Sequence, residues 1–354
     1  MPTDIIHHEH RMPDGKLDSY LTSGWRPAGQ AVYTADFLRA DDEELYGCIQ
    51  VRLPLTNFKF KKRHRKMLRR NGERFRHAIH PAGYPDEQMR ALNRRYMAVN
   101  GERSREDLEL HVTGEFGWRV FNTHVVKVYD GDKLVAFSYF DLGVRTAYSK
   151  TGIYDPEYAR FSLGIYTMAL EIRWLLEREI GFYHPGYVVP RYPLFDYKIQ
   201  FGSMEFRQIH TGDWLPYDHA DQEDPYLIYH DALTRLQQAT RPGVFADEVL
   251  EYPAFTGRFH ATDTERELLD GALLLEVRGD FFPPHRVVTY DLAARKYELH
   301  TVAESHLRDT RALYFSKSGK PRRVEVLEII TREAKGEIGD ILKALGVPAI
   351  PNCS

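Results

Sequence analysis

The order of secondary-structure patterns between residues 119 and 215 limits the possible folds of this chain more than any other feature. Two runs of alternating apolar residues flank Gly131-Asp132, a dipeptide typical of a tight turn, and predict a β-hairpin. A third strand pattern ends at Asp155-Pro156. A long segment of helical periodicity from about 162 to 180 follows and ends at Gly181. A strand, a short helix and a last strand come next, so we predict an α+β unit with a mixed sheet.

This order of three antiparallel strands, a helix, a strand, a helix and a strand resembles the catalytic half of the GNAT acyltransferases. The resemblance implies a GNAT-like antiparallel or mixed sheet with flanking helices, and it implies no chemistry by itself. We predict four regions: an N-terminal region over 1–80 with a basic helix, a GNAT-like catalytic domain over 81–217, a connecting helix over 218–240, and a small C-terminal α+β domain over 241–354. No motif indicates a role for the last region.

The segments before residue 119 are less regular. Residues 17–55 predict short strands and turns, with one strand that ends at Pro54. A helix is predicted from about Asp86 to Asn100, and Ser104 with Asp107 resembles a capping pair for one more short helix. The residues predicted to share the buried face of the longer helix are Met89, Leu92, Tyr96 and Val99.

Composition excludes several classes of protein. The chain has 354 residues, 43% of them apolar, which is enough for packed cores in two or three units and excludes general disorder. No run of about 18 apolar residues is present and the first residues are polar, so we expect neither a membrane span nor a signal peptide. The two cysteines, Cys48 and Cys353, provide no disulfide framework and no paired-cysteine metal site. We therefore expect a cytoplasmic protein with no membrane partner.

The strongest local charge lies between Lys59 and Arg76. This segment reads KFKKRHRKMLRRNGERFR, with ten Lys or Arg residues in eighteen positions and one acid, Glu73, in a chain of net charge −3. The spacing predicts a basic helix that ends near Asn71-Gly72. A phosphate backbone is a natural partner for such a face because neutralised phosphates release counterions. A solvated surface helix is the alternative interpretation.

The long helix predicted from about residue 162 opens with Ser162-Leu163-Gly164. We expect a ligand site at its first turn. Ser162 is a suitable cap and Gly164 leaves space for an incoming group. Free N–H groups at a helix start favour phosphate. The pyrophosphate loop of acyl-CoA enzymes with the GNAT fold is incomplete here, because Tyr166 stands where its last small residue belongs after Arg160 and Gly164. An ordinary capped helix is the alternative.

Together with later residues, this helix start resembles the arginyl/leucyl-tRNA–protein transferases. The elements are Tyr154-Asp155-Pro156, Ser162-Leu163-Gly164, Gly186-Tyr187, and Tyr197-Lys198 followed by Phe201. In the N-terminal part, LTSGWRPAGQAVY resembles the family's segment with a Gly, an aromatic residue, an Arg, a Gly and a Tyr. CIQVRLPLTNF followed by RHRKMLRRN resembles its strand and basic helix. The resemblance covers roughly residues 17 to 215.

The resemblance implies an aminoacyltransferase that moves Arg or Leu from a charged tRNA to the N-terminal amine of an acceptor protein or peptide. Aminoacyl-tRNA is then a co-substrate, and no other cofactor is expected. The residues implied to meet tRNA phosphates are Arg63, Arg65, Lys66, Arg69 and Arg70. Those implied to hold the tRNA 3′ end and the acceptor are Tyr154, Ser162, Leu163, Gly164, Gly186, Tyr197 and Lys198.

Such a reaction needs mainly alignment, because an aminoacyl ester is already activated. The attacking α-amine titrates near pH 8, so modest help from a base is enough. By position, Asp155 and Asp196 are candidates for that base, and Tyr187 is a candidate donor to the developing oxyanion. A structural role is the alternative for each. Lys198 has a further possible role, because it would attract a carboxylate on an acidic acceptor residue.

The chain departs from the family pattern in two places. The family carries several N-terminal cysteines able to bind a metal or an iron–sulfur cluster, whereas only Cys48 stands in the matching strand, so we expect no metal site. In the pocket, Tyr192 and Phe195 replace a Cys and a Met, and Leu194 replaces a lysine. The transferred amino acid and the accepting residue therefore stay open.

Two other functions also stay open. An acyl-CoA-dependent GNAT N-acyltransferase needs no basic helix and requires a complete pyrophosphate loop. A non-catalytic tRNA-binding protein on the same scaffold would bind charged and uncharged tRNA alike, and the missing cysteines favour it. The histidines at positions 7, 8 and 10 suggest metal binding, but a mobile N-terminal tail explains them more simply.

Overall fold

A computed structural model describes most of the chain. The described residues are 4–40, 44–101, 104, 106–114, 117–218, 223–255, 267–279, 284–305 and 322–348. Within these ranges, no helix has both the length and the apolar character needed to cross a membrane. Cys353 lies outside them.

The N-terminal segment folds into one helix and two small sheets. Its elements are β1 (Asp4–His7), α1 (Asp14–Thr22), β2 (Arg26–Ala28), β3 (Ala31–Thr34), β4 (Phe37–Arg39) and β5 (Leu45–Gly47). Strands β1, β3 and β2 form one antiparallel sheet, and β4 pairs with β5. The short strands agree with the sequence. Helix α1 does not, because only Leu17 and Leu21 are buried and the apolar period is therefore too sparse to detect.

Eight strands form the central sheet. They are β6 (Ile49–Pro54), β7 (Arg76–Pro81), β8 (Asn122–Asp130), β9 (Lys133–Leu142), β10 (Thr146–Tyr154), β11 (Phe182–Val188), β12 (Glu205–Arg207) and β13 (Trp214–Pro216). Their order is β13-β12-β6-β11-β10-β9-β8-β7. All neighbours are antiparallel except β10 and β11, which run parallel. The hairpin at Gly131-Asp132 and the strand ends at Pro54 and Tyr154 are confirmed.

Three helices cover the two faces of this sheet. They are α2 (Lys62–Arg74), α3 (Glu87–Asn100) and α4 (Leu163–Leu176). Helices α2 and α4 share one core with the sheet, in which Tyr166 and Leu170 are fully buried. Helix α3 covers the opposite face with Met89 and Leu92. This arrangement confirms the predicted α+β class and the GNAT-like order of elements.

A buried ion pair ties the N-terminal sheet to the central sheet. The Lys150 ammonium lies 3.1 Å from a carboxylate oxygen of Asp141, and both side chains are at most 2% exposed. The same ammonium donates to the backbone carbonyls of Gly29 (2.6 Å) and His111 (2.9 Å), while Thr123 donates to Asp141 (2.6 Å). Because the lysine pairs with Asp141 and also donates to two backbone carbonyls, it connects three separate segments.

The C-terminal part forms a second unit with its own core. Its elements are α5 (Pro225–Gln238), β14 (Leu250–Glu251), β15 (Leu273–Glu276), β16 (His285–Asp291), β17 (Lys296–Glu304), β18 (Leu327–Gly336) and α6 (Ile338–Ala344). The five strands form an antiparallel sheet in the order β14-β15-β16-β17-β18. Its core includes Tyr229 and Leu233 of α5 and Phe37 of β4. The predicted connecting helix thus packs inside this core, and the boundaries of the four predicted regions stay a prediction.

Some local predictions around α2 and α3 are wrong. Helix α2 does not end at Asn71-Gly72 but continues to Arg74, because the buried Asn71 side chain is held by a hydrogen bond to the Phe161 carbonyl (2.9 Å). The residues after it form edge strand β7, which the sequence patterns did not predict. Val99 is 69% exposed and does not share the buried face of α3.

Two further local predictions are also wrong. Ser104 does not pair with Asp107; its hydroxyl donates to Asn93 (2.7 Å), and Asp107 alone accepts from the Glu109 N–H at the start of the 3-10 helix Leu108–His111. The segment 205–214 is not one strand, since a turn separates β12 from the short β13.

Candidate functional site

The central sheet splits where its two parallel strands diverge. Strands β10 and β11 pair only over 146–148 and 182–184. Beyond these pairs, β10 has an irregularity between Ser149 and Thr151, and β11 has one between Tyr183 and Gly186. We call the gap between Ser149 of β10 and Gly186 of β11 the strand opening. Bulges of this kind redirect side chains next to active sites. The strand opening is therefore a candidate reaction site.

Gly186 keeps this opening free. Its φ is +103°, a backbone conformation that disfavours other residues. A Cβ atom here would lie 3.3 Å from Nζ of Lys198 and 3.6 Å from the Tyr148 hydroxyl. The glycine is therefore needed both for its backbone conformation and for the close approach of Lys198.

Two cations and their aromatic neighbours lie beside the opening. We call Arg26, Lys198, Tyr33 and Tyr187 the cationic cluster. The Arg26 guanidinium is 1% exposed and lies 4.2 Å from the Tyr187 ring centre and 4.8 Å from that of Tyr33. The Lys198 ammonium is 4.6 Å from the Tyr187 ring centre and donates to the Tyr187 carbonyl (3.1 Å). Cation–π contacts thus hold both charges against Tyr187.

The cationic cluster has unused capacity for an anion. Arg26 donates one hydrogen bond, from Nη2 to the Ala35 carbonyl (2.9 Å), while its buried Nε and Nη1 have no partner among the described residues. Burial and the nearby Arg26 charge lower the pKa of Lys198 to about 7. Uncompensated buried charge is costly, and a bound carboxylate or phosphate would remove that cost.

Cys48 lies next to this cluster but does not make a metal site. Burial raises the pKa of its thiol to about 12, although the positive charge of Arg26 opposes the shift. The thiolate that metals and iron–sulfur clusters require is therefore disfavoured. In the part of the chain that the structure describes, no group of three or more His, Cys, Asp or Glu side chains could hold a metal ion. These residues do not fit the cluster that the family pattern implies.

Helix α2 presents its basic face beside the start of α4. The Phe161 ring, just before α4, is surrounded by three guanidinium groups: Arg74 and Arg160 at 4.8 Å and Arg70 at 5.8 Å from the ring centre. Lys66 and Arg69 are exposed on the same helix. The structure therefore brings Arg70, one of the predicted tRNA-backbone residues, next to the predicted site at 162–164.

Two of the predicted phosphate contacts have partners within the protein. Arg63 donates to the Gln200 carbonyl (2.8 Å) and Arg65 to the Phe60 carbonyl (2.6 Å). Both side chains remain exposed, so these bonds position them without removing them from solvent. Their role toward tRNA stays a prediction.

The start of α4 differs from the prediction in one respect. Ser162 has left-handed backbone angles (φ 53°, ψ 49°), and its side chain forms no capping hydrogen bond. Its exposed hydroxyl is therefore available to a ligand, whereas Leu163 is fully buried in the core. Gly164 lies against Tyr154, since an added Cβ would be 3.6 Å from the Tyr154 ring. Tyr154 and Gly164 thus form one surface at the first turn.

Asp155 has a structural role here. Its carboxylate caps the 3-10 helix Pro156–Phe161 through the Glu157 N–H (3.2 Å) and forms ion pairs with Arg95 (3.2 Å) and Lys133 (3.1 Å). Burial alone would raise its pKa, but the bonds to Lys133 and Glu157 lower it overall. A carboxylate held in this way is a poor proton acceptor, so the structure does not support Asp155 as the base.

The two remaining catalytic candidates differ in their exposure to solvent: Asp196 is exposed, whereas Tyr187 is largely buried. Asp196 is exposed in the 3-10 helix Pro193–Ile199, next to the exposed Tyr197. Tyr187 lies between Arg26 and Lys198, and burial raises the pKa of its hydroxyl well above the usual value, so it keeps its proton and can donate. The roles of Asp196, Tyr187 and Tyr197 stay predictions.

Sequence reasoning did not assign Arg26 and Tyr33 to the site. The available signal was the segment LTSGWRPAGQAVY, which contains Arg26 and ends at Tyr33. Its resemblance to the family gave the segment no role, and strand patterns do not show which side chain will reach β11. Only the fold brings this segment to the strand opening.

Comparison with known proteins gives matches over part of this chain. Residues 60–208 match the family model described as the C terminus of arginine-tRNA-protein transferase. An aspartate/glutamate leucyltransferase of Leptospira interrogans is 24% identical over 197 residues, covering 54% of this chain and 74% of the relative. An arginyl-tRNA–protein transferase 1 of Arabidopsis thaliana is 28% identical over 131 residues, covering 34% of this chain and 20% of the relative. Among solved structures, L-PGS from Bacillus licheniformis aligns with a TM-score of 0.31 at 13% identity, over 50% of this chain and 51% of that one.

The fold has the GNAT-like order of elements, and its candidate site lies beside the basic helix α2. Residues 60–208 therefore resemble the arginyl/leucyl-tRNA–protein transferases, as the motifs predict. The curated relatives are named as leucyl- and arginyl-transferases, and these names support the predicted enzyme class, an aminoacyltransferase. The unit beyond residue 208 lies outside the family match.

Proposed function

We propose that this protein transfers Leu or Arg from aminoacyl-tRNA to the α-amine of acceptor proteins whose first residue is acidic. The observation that carries the proposal is the buried Arg26, whose Nε and Nη1 have no partner among the described residues, next to Lys198 at the strand opening. A carboxylate fits the guanidinium fork and the adjacent ammonium. Curated relatives are named aspartate/glutamate leucyltransferases, which supports an acidic acceptor.

In this proposal, the acidic side chain of the acceptor binds Arg26 and Lys198. Its α-amine then lies at the strand opening and attacks the ester carbonyl of the tRNA-linked amino acid. The Tyr187 hydroxyl keeps its proton and is available to the developing oxyanion. The remaining catalytic requirement is alignment of the amine and the ester.

The tRNA would approach along α2. Lys66, Arg69 and Arg70 meet phosphates of the acceptor stem, and the terminal adenosine is received at Ser162 to Gly164, next to Tyr154. Phe161 and its surrounding arginines offer a face on which a base can stack. Aminoacyl-tRNA is the co-substrate, and the reaction uses no resident cofactor. We place it in the cytoplasm, where charged tRNA is available.

A transfer assay tests the proposal directly. Purified protein is given tRNA charged with radiolabelled Leu or Arg, and peptides that begin with Asp, Glu, Asn, Lys or Ala. Label is expected on the Asp and Glu peptides from one of the two charged tRNAs. Binding of charged and uncharged tRNA with no label on any peptide would contradict the proposal and favour a non-catalytic tRNA-binding protein.

Reversing two exposed charges on α2 is expected to weaken tRNA binding. In the Lys66→Glu/Arg69→Glu variant, affinity should fall about tenfold or more, and the slope of log K against log salt should become shallower by about 1.5, because two phosphate contacts are lost. Filter binding across a salt series measures both quantities. The control is Arg241→Glu/Lys343→Glu, which makes the same charge change at exposed positions of the C-terminal unit. Equal losses in both variants would show that only net charge matters.

A further inference from the structure

A buried carboxyl group that the proposed reaction has not used lies in the middle of α4. Glu171 is 0% exposed and forms no ion pair among the described residues. Its carboxylate accepts hydrogen bonds from the Ser138 hydroxyl of β9 and from the Tyr183 hydroxyl of β11, the latter at 2.8 Å. The Ser149 hydroxyl of β10 lies close enough to Glu171 and Tyr183 to lower the pKa of each, against the larger effect of burial. A carboxyl group without a cation in an apolar layer is costly to stability, so its presence calls for a role.

The position of Ser149 connects this carboxyl group to the strand opening. Ser149 is half-buried and follows directly after the last parallel pair, Tyr148 with His184. Burial raises the pKa of both Tyr148 and Tyr183, while Arg26 opposes the rise at Tyr148. Tyr148 faces the cationic cluster, whereas Tyr183 faces Glu171. The opening therefore lies between the acceptor site on one face of the sheet and Glu171 on the other.

We propose that Glu171 is the general base of the transfer reaction and acts through the Ser149 hydroxyl. The inference rests on the proposed function, because an acceptor held by Arg26 and Lys198 places its amine in the opening. The amine nitrogen bonds to the ester carbonyl carbon and gives one proton to Ser149 Oγ, while the Ser149 proton passes to Glu171. The bond from that carbon to the tRNA ribose oxygen breaks, and the proton returns through Ser149 to this oxygen. Atoms and charge balance, and no other reactant is needed.

The surroundings of Glu171 suit a proton acceptor. Burial raises its pKa to about 7, and the bonds from Ser138, Tyr183 and Ser149 limit the rise. Bases with a pKa near the working pH are the most effective. The titratable groups on elements packed against α4 include Tyr183 of β11, His124 of β8, His77 of β7, His64 of α2 and Tyr158 of the 3-10 helix. Of these, only Tyr183 contacts the carboxylate, and burial lowers the pKa of all three histidines.

The pH profile of Glu171→Gln tests the inference. Below pH 7, wild-type kcat/KM requires deprotonation of both the acceptor amine and Glu171, so log kcat/KM should rise with a slope approaching 2. In Glu171→Gln only the amine titrates, so the slope should be 1, with a rate about 100-fold lower near pH 7. This range also keeps Lys198 largely protonated. Thermal unfolding of each variant confirms that it is folded.

A matched pair of serine variants separates proton transfer from packing. Ser149→Ala and Ser138→Ala each remove one hydroxyl from the same carboxylate, but only Ser149 lines the opening. Ser149→Ala should lower kcat/KM about 30-fold or more, and Ser138→Ala about threefold or less. Equal effects of the two serine variants, or a Glu171→Gln profile that keeps the wild-type slope, would overturn the inference. If wild-type protein transfers no label, the proposed function fails instead.

Discussion

Replacing Lys198 with methionine is expected to lower kcat/KM for peptides beginning with Asp or Glu by about 30-fold or more. The reason is loss of one buried charge that pairs with the acceptor carboxylate, an interaction that costs about 2–5 kcal/mol when one partner is removed. Peptides beginning with Asn lack that charge and should lose far less. The measured quantity is the ratio of kcat/KM for Asp and Asn peptides, which should collapse in the variant.

The same experiment extends to Arg26 and to pH. Arg26→Met should also abolish the preference for acidic acceptors, since Arg26 carries the unpartnered donors. Because the pKa of Lys198 is about 7, its ammonium loses charge as the pH rises through 7 in the free enzyme. The preference for Asp over Asn peptides should therefore weaken from pH 6 to pH 8 in the wild type, and less so in Lys198→Met. Lys343→Met, at an exposed position of α6, is the control. A folded Lys198→Met enzyme that still prefers Asp to Asn would contradict the acceptor assignment.

Lys150→Met is expected to destabilise the protein by about 3–5 kcal/mol, because it leaves the buried Asp141 carboxylate without its cation. The carbonyls of Gly29 and His111 also lose their donor. Urea unfolding followed by tryptophan fluorescence measures the change as a shift of the midpoint.

A matched control separates burial from the mere presence of an ion pair. Arg94→Met removes a pair with Glu87 in which the side chains are 62% and 77% exposed, so its effect should stay below about 0.5 kcal/mol. The double variant Asp141→Leu/Lys150→Met should recover part of the lost stability, since no unpaired charge remains. If Lys150→Met cost no more than Arg94→Met, Lys150 would not connect the N-terminal and central sheets as the structure indicates.

Much of the candidate site could be predicted from local patterns. The basic residues of α2, the glycines at 164 and 186, and Tyr187 with Lys198 all belong to short motifs. The assignment of the catalytic base shows what such motifs cannot predict, namely which side chains pair with each other. Asp155 has the same place in its motif whether its carboxylate is free or paired, and the sequence does not show that Arg95 and Lys133 reach it. Glu171 looks like one more polar residue of an amphipathic helix, although it lies under Ser138 and Tyr183.

The sequence by itself determined the order of most strands and helices between residues 119 and 215, the turn at Gly131-Asp132 and the resemblance to a family. These features depend on alternation of apolar and polar residues, on glycine and proline, and on motifs within a few dozen residues. Only the tertiary structure decided which charges are buried and which are paired. Arg26 meets Tyr187, and Ser149 reaches Glu171, because β10 and β11 diverge at irregularities between Ser149 and Thr151 and between Tyr183 and Gly186. The register of strands far apart in the chain sets those contacts, and no local pattern encodes that register.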